Sequence, residues 1–92
     1  MSVEFTWDPR KAKANLKKHK VSFEEAVTVF GDPLALVVED ASYAERSILI
    51  GQSERLHVLF TVYVERDEGI VRIISARRAT SHERKSYEEG RP

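Results

Sequence analysis

The residues best suited to chemistry are Arg77 and Arg78, inside the stretch RIISARRATSHER that runs from Arg72 to Arg84. A guanidinium is a planar fork of donors that keeps its charge, and it matches two oxygens of a phosphate or a carboxylate at once. The stretch opens as a strand pattern. It ends with Thr80 and Glu83 at capping-box spacing, so the pair stands where a strand gives way to a helix. Consecutive strand residues face opposite sides. Both arginines can serve one site only if the alternation relaxes, and the strand end is where that is expected. The competing role is an ordinary ion pair with Glu83 or Glu65.

Other groups could join them. Arg46 opens a strand pattern and could add a guanidinium, or pair with Glu45. Arg66 closes a strand beside the turn DEG, an ordinary place for a solvated charge. His19, His57 and His82 are the only side chains that titrate near neutrality unaided. His19 could carry a proton or simply cap its helix. Glu65 shares a strand face with His57 and could act as a base, or pair with Arg66 or Arg78. Lys17, Lys18 and Lys20 could guide a polyanion backbone; Lys11 and Lys13 read as solvated helix surface. Tyr63 and Trp7 could stack on bases, although Trp7 reads more readily as a core anchor. Three scattered histidines form no ligand pattern, and four glycines spread over turns form no phosphate loop, so no metal or cofactor is expected.

The elements that must position these groups follow from length and pattern. A chain of 92 residues reads as one domain over 1–92, burying about 60–65% of its unfolded surface. It has no cysteine, which excludes disulfides, thiolate zinc sites and a cysteine nucleophile. No signal or spanning segment is visible, so a soluble cytoplasmic protein is expected. Net charge is zero but uneven. Residues 1–20 carry six Lys/Arg against two Asp/Glu, residues 21–71 three against ten, and residues 72–92 six against three. If the fold joins the two basic ends, they make a face for a polyanion; otherwise they are solvated surface.

Glu4 to Trp7 reads as a short strand. Asp8 before Pro9 starts a basic helix to about His19, with Ala12, Leu16 and His19 as its apolar side. Ser22 and Glu25 open a second helix whose Phe23, Ala26, Val27 and Phe30 form a buried stripe. Four strands then follow: 34–39, 46–53, 55–66 and 70–78. Short connections make them an antiparallel meander. In the third, Val58, Phe60, Val62 and Val64 are the expected core face, and His57, Leu59, Thr61, Tyr63 and Glu65 the more polar one. A last helix spans about Ser81 to Glu89. The expected fold is a two-layer α+β domain with two N-terminal helices on one face of the sheet and a C-terminal helix.

Four pieces in order resemble one family. Trp7–Asp8–Pro9, NLKKHKVSFEEAVTVFGDP from Asn15 to Pro33, Glu45–Arg46 followed by ILIG, and RIISARRATSHERKSYE from Arg72 to Glu88 are similar to the BrnT family, toxins of type II toxin–antitoxin pairs. One departure is Lys20, where glycine is expected after the histidine. The resemblance implies a RelE-like fold, ribonuclease activity that blocks translation, and neutralisation by a BrnA-like antitoxin that supplies DNA binding. Cleavage of that kind needs no metal. The 2′-OH attacks the neighbouring phosphate while the protein takes its proton, steadies the phosphorane charge and protonates the leaving 5′-oxygen. Arg77, Arg78, Arg46, His19 and Glu65 are then the expected catalytic groups, and Lys17, Lys18, Lys20, Arg66 and Tyr63 the expected RNA contacts. The alternative is a module that binds RNA or protein without cleaving and acts as co-repressor with a DNA-binding antitoxin.

Overall fold

The computed structural model of the chain describes residues 3–91; positions 1, 2 and 92, the ends of the expected domain, lie outside it. The elements are β1 (Glu4–Thr6), α1 (Pro9–His19), α2 (Phe23–Thr28) running into a single 3-10 turn (Val29–Gly31), β2 (Leu36–Glu39), β3 (Arg46–Gln52), β4 (Val58–Glu65), β5 (Ile70–Arg78) and α3 (Ser81–Glu89). β2 to β5 form the expected antiparallel meander. β1 adds itself in parallel beside β5.

The helix starts follow their caps. Asp8 accepts from the Arg10 N–H with Pro9 in the first turn. Ser22 accepts from the Glu25 N–H. Thr80 and Glu83 make both halves of a capping box. α1 ends on Lys20 at φ 61°, left-handed backbone that glycine adopts more cheaply. That is the physical reason glycine is expected there; Lys20 carries the small strain instead.

Two expectations fail. The first concerns β4. Leu59, Thr61 and Tyr63 are buried on the helix face, Leu59 and Tyr63 in one core with Phe23, Ala26 and Val29 of the second helical segment. On the opposite face Val64 is buried as expected, but Val58, Phe60 and Val62 are only half-buried. Both sets are apolar enough to sit in a core, so alternation alone could not rank them. Aromatic contacts favour the observed one: Phe30 meets Tyr63 edge-on at 5.1 Å and Phe5 at 4.9 Å, and Trp7 meets Phe23 at 5.9 Å. The second concerns α1. Leu16 is 49% exposed, and the buried residue is Asn15. Its amide donates to the carbonyls of Val21 (2.9 Å) and Ala76 (2.8 Å) and accepts from the Ala76 N–H (3.1 Å). Three-residue β1 leaves the rest of the β5 edge open. Asn15 replaces a neighbouring strand at one position and pins α1 against β5.

One irregularity decides which β5 side chains share a face. Tyr63 pairs with Ile73, but Val62 pairs with Ser75, so Ile74 is an extra residue. This bulge resets the alternation. Val71, Ile73 and Ala76 all fall on the helix face, while Arg72, Ser75 and Arg77 fall on the other. Without the bulge, Arg72 and Arg77, five residues apart, would face opposite ways.

α3 anchors on that second face. Glu83 holds Arg77, and the Tyr87 hydroxyl donates to Asp32 at 2.6 Å. Asp32 also accepts from the N–H groups of Leu34 and Gln52. Burial raises its carboxyl, but these three donors outweigh that and hold it below its usual value. The backbone is tight beside Asp32 as well: a Cβ on Gly51 would come within 2.8 Å of Val29 and 2.9 Å of Ala35, so β3 passes under the 3-10 turn only because that residue has no side chain.

Candidate functional site

At the end of the sheet where β3 begins, register sets Arg46, Val64 and Arg72 side by side on one face. They line a hollow of about 400 Å³ together with Lys11, Glu45, Glu65, Arg66 and Ile74. Four cations from α1, β3, the β4–β5 turn and β5 therefore meet over two glutamates. Among the described residues, none of the four lies within ion-pair distance of a carboxylate. The Arg46 guanidinium rests on the Tyr43 ring at 4.1 Å, which orients it without neutralising it. Such a cluster suits an oxyanion, which would offset the excess of four cations over two carboxylates.

A second groove, of about 240 Å³, continues from the first. Lys11 and Ile74 line both, and Ala14, Asn15, Lys18, His19 and Ser75 complete it. It runs between α1 and the open β5 edge. The two basic ends of the sequence thus contribute to one surface, Lys11, Lys18 and His19 from the first and Arg72 from the last.

The expected site residues divide. Arg46, Arg66 and Glu65 converge in the hollow, and Lys18 and His19 line the groove. Lys17 and Lys20 are exposed on and just beyond α1 but line neither. Arg77 and Arg78 do not converge. Register holds to the strand end, pairing Arg77 with Phe60 on the open face and Arg78 with Leu59 on the helix face. Arg77 makes the ordinary pair: both its terminal nitrogens donate to Glu83, at 2.8 and 2.9 Å, with the guanidinium 4.0 Å above the Phe60 ring. The Glu83 bond raises Arg77 further above its usual value; reciprocally, Arg77 holds the Glu83 carboxyl below its own, against partial burial. Arg78 instead contacts His57. Tyr63 is 8% exposed within the core, so its ring is unavailable for base stacking; burial raises its phenol.

Sequence reasoning passed over Lys11 and Arg72. The signal for Lys11 was present. Lys11, Asn15, Lys18 and His19 fall at i, i+4, i+7 and i+8, one helical face that is polar where an apolar one was sought. Arg72 was not recoverable, because only the bulge at Ile74 puts it on the same face as Arg77. Among the described residues, no three His, Asp or Glu side chains gather as a ligand set, and no helix is long and apolar enough to cross a membrane.

A family model describing the ribonuclease toxin BrnT of type II toxin–antitoxin systems matches residues 7–83. The chain belongs to the BrnT family. It is also similar to the 1.1 Å crystal structure of the Brucella abortus ribonuclease toxin BrnT, with a TM-score of 0.72 at 22% identity, covering 87% of this chain and 100% of that one. At that identity the likeness establishes a shared fold. No curated protein sequence matches. The family places the hollow and groove in a ribonuclease toxin, a protein with RNA as substrate and an antitoxin as partner.

Proposed function

We propose that the chain is a RelE-like, metal-independent endoribonuclease over residues 1–92, which inhibits translation in the cytoplasm by cleaving mRNA. A BrnA-like antitoxin neutralises it, and operator DNA is reached only through that antitoxin. One observation carries the catalytic part: four cations with no carboxylate in ion-pair distance among the described residues meet in one solvent-open hollow from four separate segments.

In this reading Arg46, Arg66 and Arg72 hold a phosphodiester and Lys11 adds charge. The 2′-oxygen forms its bond to phosphorus as the bond from phosphorus to the 5′-oxygen breaks, giving a 2′,3′-cyclic phosphate and a 5′-hydroxyl end. Glu65, at the hollow, takes the 2′-OH proton, and a solvent proton reaches the leaving 5′-oxygen through the open side of the hollow. Each guanidinium that meets the phosphorane better than the ground state lowers the barrier by about 2–4 kcal/mol. Lys18 and His19, with Lys17 and Lys20 nearby, guide the flanking strand along the groove. Arg77 extends the cationic face toward α3, available to a phosphate once Glu83 yields.

One observation favours the alternative of binding without cleavage. Among the described residues, no imidazole lines the hollow. Incubating purified protein with single-stranded RNA in EDTA separates the two. Shortened RNA with cyclic-phosphate ends supports the nuclease; a gel shift of intact RNA supports a binding module. Expression alone should arrest growth, and co-expression of an antitoxin from the adjacent gene should restore it.

A further inference from the structure

At the far end of β4, about 23 Å along the strand from the hollow, lies a second constellation. Glu25 of α2 is buried, with 7% exposure. One of its oxygens accepts from the Ser53 hydroxyl at 2.6 Å and contacts His57 Nδ1 at 3.0 Å. The other ring nitrogen of His57, Nε2, sits 2.8 Å from an Arg78 terminal nitrogen. A guanidinium has only donors, so Nε2 must accept. The contacts thus set the ring with Nε2 accepting from Arg78 and Nδ1 donating to Glu25.

The consequence concerns Arg78. Arg77 is neutralised by Glu83, but Arg78 has no carboxylate within ion-pair distance among the described residues. Among the described residues its one side-chain partner is the accepting ring nitrogen of His57. The residue is exposed, so its charge and the remainder of its fork face solvent. An exposed arginine ordinarily wanders among rotamers, and fixing it on a ligand costs side-chain entropy. Here a buried carboxylate fixes the ring and the ring fixes the fork. This gives a pre-oriented cation that lacks an anion.

We propose that Arg78 is a second phosphate-binding site for the RNA backbone, separate from the hollow, and that His57 is its positioning residue, held by Glu25 and Ser53. The site takes a phosphodiester several nucleotides away from the one in the hollow, so a substrate long enough to reach both ends of the sheet binds more tightly than a short one. This rests on the reading of the chain as an RNA-binding toxin.

The test uses the full chain and a single-stranded oligonucleotide with 2′-O-methyl groups throughout, which binds but cannot be cleaved by 2′-OH attack. R78Q should weaken binding of a long oligonucleotide about tenfold and lower the salt slope by about one phosphate contact. Binding of a dinucleotide should stay unchanged. H57L keeps every formal charge but removes the acceptor, and should reproduce most of the loss. H57Q, whose amide oxygen can accept, should restore part of it. A lost structural contact alone would give equal losses in H57L and H57Q, and circular dichroism melts report whether either has unfolded. If the wild-type chain binds no RNA, the functional reading fails. If it binds and R78Q binds equally well, the second site fails while that reading stands. If R78Q loosens only the complex with the antitoxin, Arg78 serves a protein interface and the proposal is overturned.

Discussion

Replacing Asn15 with alanine tests how the site is assembled. The side chain makes three buried hydrogen bonds, two of them to the open edge of β5 at Ala76. N15A strands a buried N–H and two carbonyls, each costing about 1 kcal/mol net, for a total near 3 kcal/mol. For a domain of this size, whose whole stability is about 5–14 kcal/mol, that is a large fraction. At about 4–8 °C per kcal/mol it lowers the melting temperature by roughly 12–24 °C. Thermal melts followed by circular dichroism measure it, with L16A on the exposed side of the same helix as the control, expected to shift within about 0.5 kcal/mol. Because Asn15 pins α1, and α1 carries Lys11 and Lys18, N15A should also weaken RNA binding well below its melt. A melting temperature within a few degrees of wild type would refute this account of how α1 is held.

Two further outcomes follow from local geometry. The Tyr87 phenol is pushed up to about 12, first by burial and then by its bond to the Asp32 carboxylate. A raised value in the folded state means stability that is present below the ordinary phenol value of about 10 and lost as pH climbs toward 12. Denaturant melts across that window should show the fall, and Y87F should flatten it, leaving the part due to Tyr63. G51A should destabilise by about 1–3 kcal/mol, because its methyl would overlap Val29 and Ala35; a melt equal to wild type would show that the turn over β3 is freer than its contacts imply.

Much of this protein was legible before its coordinates. Caps at Asp8, Ser22 and Thr80 fix three helix starts through local hydrogen bonds, and short apolar runs with tight connections specify a meander. What could not be read depends on non-local choices. β4 has two usable faces, and only the aromatic partners from α2, the 3-10 turn and β1 decide between them. The bulge at Ile74 has no local signature, yet it puts Arg72 and Arg77 on one face. The functional reading shifted for the same reason. The conspicuous Arg77–Arg78 pair is split by strand alternation, with Arg77 tied to a local carboxylate, whereas Arg46, Arg66 and Arg72, scattered in sequence, come together. Of the arginines singled out from the sequence, Arg46 and Arg66 come together with Arg72, while Arg77 and Arg78 stand apart.

The most direct test of that convergence compares two charge-matched double variants. R46Q/R72Q removes two guanidiniums from the hollow, and R84Q/R91Q removes two from the region of α3. Initial rates of RNA cleavage in EDTA are measured for both beside wild type. The account expects R46Q/R72Q to lose at least about a hundredfold while remaining folded, with R84Q/R91Q close to wild type. Equal rates for the two variants would contradict it, since the arginines in the hollow would then matter only as net charge.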